Sequence, residues 1–147
     1  MSVKIDQAFI AAMLDGMLQL DIVHENGGYS TWANAAYTHY VGAYQPNANR
    51  EYCEIHNFPA GKTAFSLATS DEFVGLFQVI LKYPADIGAF TIKQKAEDVL
   101  NLLSIGATLT YSGQEVEILS NTRDGGRIEG GFYQIVVRAN YRAFTSR

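Results

Sequence analysis

The side chains with the widest chemical reach in this chain are three histidines (His24, His39 and His56), the single thiol of Cys53, and two adjacent carboxylate pairs, Asp71-Glu72 and Glu97-Asp98. Together with Glu25 the histidines are the residue types that bind a transition metal. Their gaps of 15 and 17 residues match no local ligand spacing, however, and each sits among polar or aromatic neighbours that satisfy an imidazole by hydrogen bonding. No metal site is expected. The carboxylates have the chemistry of a general acid and base, but adjacent side chains on a strand or helix point apart, so both pairs read as solvated charges. Cys53 has no base beside it in sequence and reads as a small buried apolar residue.

The chain has no glycine-rich phosphate loop, no Gly-x-Ser-x-Gly elbow and no Cys-x-x-Cys pair. No catalytic residue and no cofactor is expected. One cysteine rules out an internal disulfide, and no apolar run of membrane-spanning length occurs. Nothing at the N-terminus reads as a signal peptide, since Met1 to Asp6 is polar and Asp15 and Gln19 interrupt the apolar stretch after it. The 147 residues, 48% hydrophobic and 18% charged, suit one globular domain over 1–147. A net charge of −4 argues against a surface that grips nucleic acid.

The elements that must carry these residues follow from periodicity. Ile5, Phe9, Ala12, Met13, Met17 and Leu20 recur at helical steps, giving an amphipathic helix from Lys4 to about Gln19. From Asn26 to Asn49 the chain is rich in Gly, Asn, Ala and Tyr, with turns at Asn26-Gly27-Gly28 and Gln45-Pro46-Asn47; it reads as irregular, with short strands at most near Ile22–His24 and Tyr29–Trp32. Glu51 to Phe58 alternates as a strand stopped by Pro59-Ala60-Gly61, and Ala64 to Thr69 suits a second short one. Phe73 to Tyr83 is apolar on both sides: Phe73, Phe77, Val79, Leu81 and Tyr83 face one way, Val74, Leu76 and Ile80 the other. Such a strand needs cover on both faces, from within the chain or from a neighbouring subunit.

After a loop from Pro84 to Phe90, Thr91 and Gln94 have the form of a capping box, followed by a helix from Ile92 to Ser104 whose apolar face is Ile92, Ala96, Val99, Leu100 and Leu103; Gly106 lies just past its end. Thr108–Tyr111 and Glu115–Leu119 read as a hairpin across Ser112-Gly113-Gln114, Asp124-Gly125-Gly126 as a turn, and Gly131–Phe144 as a long last strand with Tyr133, Ile135, Val137, Ala139, Tyr141 and Ala143 inward. This order gives an α+β fold: a mostly antiparallel β-sheet with two α-helices packed on one face.

Two features suggest contact with other chains. Tyr29, Trp32, Tyr37, Tyr40 and Tyr44 crowd one stretch with residues that anchor interfaces, although filling the core is an equal use for them. Charge is also uneven: Asp6, Asp15, Asp21, Glu25, Glu51 and Glu54 dominate the first part, whereas Arg123, Arg127, Arg138, Arg142 and Arg147 dominate the last 25 residues. Either these are solvated surfaces, or unlike patches meet head to tail between copies, an arrangement that closes into a ring. Trp32, Tyr37, Tyr40, Tyr44, Arg123, Arg127, Arg138 and Arg142 are the candidate interface residues.

The order of motifs resembles the tail terminator proteins of long-tailed bacteriophages, the group typified by the lambda minor tail protein U. The matching pieces are the N-terminal helix; Trp32-Ala33-Asn34-Ala35-Ala36-Tyr37; Glu51-Tyr52-Cys53-Glu54-Ile55 ending in Phe58-Pro59-Ala60; Gly75-Leu76-Phe77-Gln78-Val79 leading to Tyr83-Pro84-Ala85 and Gly88; and the Lys95–Leu103 helix. Gly106-Ala107-Thr108-Leu109, Ser112-Gly113-Gln114, Gly130-Gly131-Phe132-Tyr133 and Tyr141-Arg142-Ala143-Phe144 complete the series. The resemblance implies a ring-forming subunit of six copies that caps the tail tube, ends its polymerisation and offers its other face to a head-completion protein. DNA would pass through the lumen without specific binding. Implied locations are the tail-neck junction of the virion and the host cytoplasm during assembly. The stretch from Gly27 to Tyr44 departs from the pattern in length and aromatic content, and Phe58 stands where a leucine is usual. Another ring protein of the neck, or a small hydrolase or ligand-binding domain, is the alternative reading.

Overall fold

The structure, a computed structural model, describes residues 2–25, 27–46, 50–66, 70–86 and 89–146. In chain order the elements are α1 (Ser2–Asp15), β1 (Asp21–His24), β2 (Gly28–Ala33), β3 (Ala36–Val41), β4 (Tyr52–Ser66), β5 (Ser70–Pro84), α2 (Ala89–Leu102), β6 (Thr108–Tyr111), β7 (Gln114–Arg123), β8 (Arg127–Glu129) and β9 (Phe132–Ser146). They build one sheet in the order β3-β2-β1-β4-β5-β9-β7-β6, with β8 paired to β9. All pairs are antiparallel except β1 with β4, so the expected α+β class holds.

Both helices lie on the same face. Phe9 of α1 stacks on Phe77 at 4.1 Å between centroids, and Phe77 stacks on Tyr141 at 4.2 Å. Ile92, Ala96, Val99 and Leu103 are fully buried, as the apolar stripe of the second helix predicts. Beneath the helices run the inward sets of the three long strands, including Cys53, Ile55, Val79, Leu81, Ile135, Val137 and Ala139. Side-chain ties hold the layers together: Lys95 Nζ donates to the Leu18 carbonyl at 2.8 Å, and Asn121 Nδ2 donates to the Leu103 carbonyl at 2.9 Å, satisfying an orphan acceptor at the end of α2.

Several boundaries differ from the sequence expectation. The first helix ends at Asp15 rather than near Gln19, because Met17 and Gln19 take positive φ (49° and 62°) and reverse the chain. Leu18 and Leu20 are buried from the connection instead of from a helix face, and Met17 is exposed. The second helix begins at Ala89 and not at Ile92, so Thr91 lies inside the first turn and is not its cap; nothing in Ala89-Phe90 opposes helical geometry. It ends at Leu102, and Gly106 serves the following turn with φ 84°.

Among the strands, Pro59 does not end β4. Beyond Ile55 no strand pairs with β4 on the β1 side among the described residues, so β4 becomes an edge strand, where a missing N–H is tolerated, and a register shift between Pro59 and Gly61 absorbs the irregularity. The separate strand expected over Ala64–Thr69 is in its first part the end of β4, and residues 67–69 lie outside those described. The segment from Asn26 to Asn49, read as irregular, contains the well-paired β2–β3 hairpin. Its two-residue turn, Asn34-Ala35, has both φ values positive (54° and 65°), as a type I′ turn requires. Asn26 and Asn47, each part of an expected turn, fall outside the described residues. β8 is a further short strand after the expected Asp124-Gly125-Gly126 turn; Asp124 Oδ1 accepts from Gly126 N at 3.1 Å and Val136 N at 3.2 Å. The Thr108–Tyr111 hairpin is as expected, with β7 extended to Arg123 past a register shift between Ile118 and Ser120.

Candidate interaction surface

With both helices on one side, the opposite face of the sheet carries no covering element among the described residues. Register assigns it: Tyr52↔Lys82, Glu54↔Ile80, His56↔Gln78 and Phe58↔Leu76 between β4 and β5, then Val74↔Arg142, Leu76↔Asn140, Gln78↔Arg138 and Ile80↔Val136 between β5 and β9. Phe58 is 48% exposed, Phe144 41% and Val74 37%, with Leu76 and Ile80 half-buried between them. This is the second apolar side of the 73–83 strand. The first is sealed by the helices; the second is left by this chain as an apolar strip framed with charge.

At one end of that face lies a row of aromatic rings. Tyr40 stacks on Tyr29 (5.1 Å), Tyr29 meets Tyr44 edge-on (5.2 Å), Tyr44 meets Tyr52 (5.1 Å) and Tyr52 meets Phe132 (5.7 Å). The row is fixed from below by Asp21, 3% exposed, whose carboxylate accepts from the Tyr44 hydroxyl at 2.8 Å, Arg50 at 3.2 Å and Trp32 N at 3.3 Å. Burial, reinforced by the Asp21 carboxylate, pushes the Tyr44 hydroxyl far above its ordinary range, so it remains a donor.

The eight candidate interface residues therefore do not form one patch. Tyr40, Tyr44, Arg138 and Arg142 share the uncovered face. Arg142 donates to Glu117 at 2.9 Å, lies over the Phe144 ring and keeps its Nε buried without an acceptor among the described residues. Arg138 makes no ion pair among the described residues, and Arg127 pairs with Glu129 at 3.1 Å. Trp32 and Tyr37 meet edge-to-face at 4.8 Å, and Tyr37 packs against the core with its hydroxyl near the Leu18–Leu20 backbone. Arg123 points to the helix side and pairs with Glu97 at 3.5 Å. Strand alternation divides the aromatics: Tyr37 packs against the core, whereas Tyr29, Tyr40 and Tyr44 lie on the uncovered face. Phe58, Val74, Leu76, Tyr52, Phe132 and Phe144 also lie on this face; the two-sided apolarity of 73–83 signals Val74 and Leu76, and the others are placed there by register.

The chemically capable residues are also placed. His24 Nε2 and His39 Nδ1 both bond the fully buried Ser30 hydroxyl, at 3.1 and 2.7 Å, while His56 faces Glu25 and Glu54 at 3.5 and 3.6 Å. Sheet pairing brings the first two histidines together despite their sequence gap, yet no group of three metal-binding side chains forms among the described residues. Burial, then the neighbouring His39, holds His24 below the ordinary histidine value. Asp71 is buried and Glu72 half-buried on opposite faces, and Glu97 and Asp98 pair with different cations, Arg123 and Lys95. Cys53 is fully buried, which pushes its thiol far up and keeps it protonated. A cleft of about 430 Å³ beside α2 is lined by Phe90, Lys93, Gln94, Glu97, Asp98 and Arg123, and the space between His24, Glu25, Asp6 and Asn57 is about 10 Å³, room for one water. No helix among the described residues is long and apolar enough to cross a membrane.

Residues 29–141 match the family model described as phage tail terminator protein. A solved structure with 16% sequence identity covers 97% of this chain and 95% of its own, with a TM-score of 0.71; at that identity the likeness concerns the fold. No curated protein matches the chain.

Proposed function

This chain belongs to the phage tail terminator family, structural proteins of the virion tail, and from that premise we propose that it forms a ring, six copies in number, that caps the tail tube. The ring ends tube polymerisation and presents its opposite face to the head-completion protein, while DNA passes the lumen without specific binding. The carrying observation is the family match over 29–141. Its placement is the tail-neck junction, reached after assembly in the host cytoplasm.

The geometry supports a head-to-tail contact. A ring needs two different patches on each copy. The uncovered sheet face supplies one, with Phe58, Val74 and Phe144 exposed around Arg138. The helix side supplies the other, where Val3, Met17, Phe90 and Ile105 are 60–81% exposed. The simple pairing of an acidic N-terminal part with a basic C-terminal part is weakened, because Asp21, Glu25 and Glu54 are already engaged by Arg50, His56 and Lys82. On the uncovered face Arg138 is a cation without an ion pair among the described residues, open to a neighbour. Arg138→Glu is expected to abolish rings seen by electron microscopy of protein mixed with tail tubes, with the monomer's melting temperature unchanged within about 2 °C, as for a surface substitution. Intact rings in that variant would move the contact elsewhere.

A further inference from the structure

A sheet exposes unpaired backbone groups at its edges, and proteins blunt such edges with charge, proline, bulges, short strands or a covering element. Among the described residues, β3 is an edge of this sheet that is not managed in that way, and the part of β7 beyond β6 carries a register shift and ends in Arg123. β6 is four residues long and lies against α1. The free half of β4 carries Pro59 and a register shift. β8 is three residues with Arg127 and Glu129. β3, Ala-Tyr-Thr-His-Tyr-Val, has six residues in unbroken register, with no charge, no proline and no bulge. Among the described residues no strand pairs with its outer side.

The hairpin geometry fixes which groups are free. A two-residue turn makes Ala33↔Ala36 a hydrogen-bonded pair, and the ladder then alternates, so Thr38 and Tyr40 bond β2 while Tyr37, His39 and Val41 direct their N–H and C=O to the open edge. The bond from Gly42 N to Gly27 O, 2.9 Å, continues the same phase. Val41 is 99% exposed, and Tyr40, 46% exposed, lies beside the edge at the end of the aromatic row.

We propose that the β3 edge accepts an extended, uncharged segment of another tail component, which pairs with Tyr37, His39 and Val41 and lays an apolar or aromatic side chain against Tyr40. A different protein is the occupant because a second copy has no matching edge to offer head to tail, its other edges being covered, bulged or charged. The proposal rests on the assignment to a tail protein family.

The test uses Val41→Pro, which removes one outward N–H at a position where the side chain meets nothing, with Val41→Thr as the variant that keeps it. Each is mixed with isolated tail tubes lacking this protein, and binding is read by cosedimentation and by residue-resolved amide exchange. Val41→Pro is expected to bind at least ~10-fold more weakly with an unchanged melting curve, and Val41→Thr to bind as the parent does. In the parent, the amides of Tyr37, His39 and Val41 gain protection on the tube while those of Thr38 and Tyr40 do not change. Equal binding by Val41→Pro, or no alternating protection, overturns the proposal. The same protection in concentrated protein alone identifies a second copy as the occupant and overturns it too. A parent chain that ignores tubes altogether defeats the tail-cap reading itself.

Discussion

At the scale of single residues, the histidines and Gly75 show how sequence and structure divide the explanation. His24 shares the buried Ser30 hydroxyl with His39 and is faced by Asp6, Glu25, His56 and Asn57 around a space of one water. Its pKa is depressed in the folded state relative to 6.5, so the folded chain binds fewer protons than the unfolded one. Its contribution is full above the unfolded value and is lost as pH falls from there through the folded value. The melting temperature should therefore drop as pH falls below the unfolded-state value of 6.5, and His24→Gln should remove part of that drop. Gly75 is set by contact: a Cβ there would lie 2.5 Å from the Tyr141 hydroxyl, itself bonded to Asn57 at 2.8 Å. Gly75→Ala is expected to cost about 2 kcal/mol or more in chemical denaturation, whereas Gly61→Ala, with open space around its Cβ, should cost far less. The sequence marks both glycines alike, because it does not show which ring crosses the strand.

At the scale of elements, the periodic segments were legible: both helices, the long central strand, the Ser112-Gly113 hairpin and the inward set of the last strand follow from spacing alone. What was not legible is β3. Its turn uses Ala35 in a left-handed conformation that alanine disfavours, so the usual Asn-Gly signal is missing and the aromatic stretch looked irregular. Ala35→Gly is expected to stabilise the protein by about 1 kcal/mol, raising the melting temperature by roughly 2–4 °C. A fall instead would mean that the Ala35 side chain contributes packing that outweighs its strain. Pro59 misled in the opposite sense: it ends a strand only where its N–H is needed, and β4 is an edge at that point.

At the scale of the whole molecule, the two-sided apolarity of 73–83 poses the question of what covers the second face. The described residues of this chain supply two helices, and both go to the same side. The proposed ring assigns the other side to the next copy. Which candidate interface residues share a face was not legible, because it depends on strand alternation and register: Trp32, Tyr37 and Arg123 lie on the helix side and Tyr40, Tyr44, Arg138 and Arg142 on the other. The measurement that bears most directly on the ring is a symmetry-resolved electron-microscopy image of tail tubes capped by this protein. Six copies around the tube end, each sheet face against its neighbour's helix side, is the expected result; a single bound copy, or a cap without rotational symmetry, would contradict it.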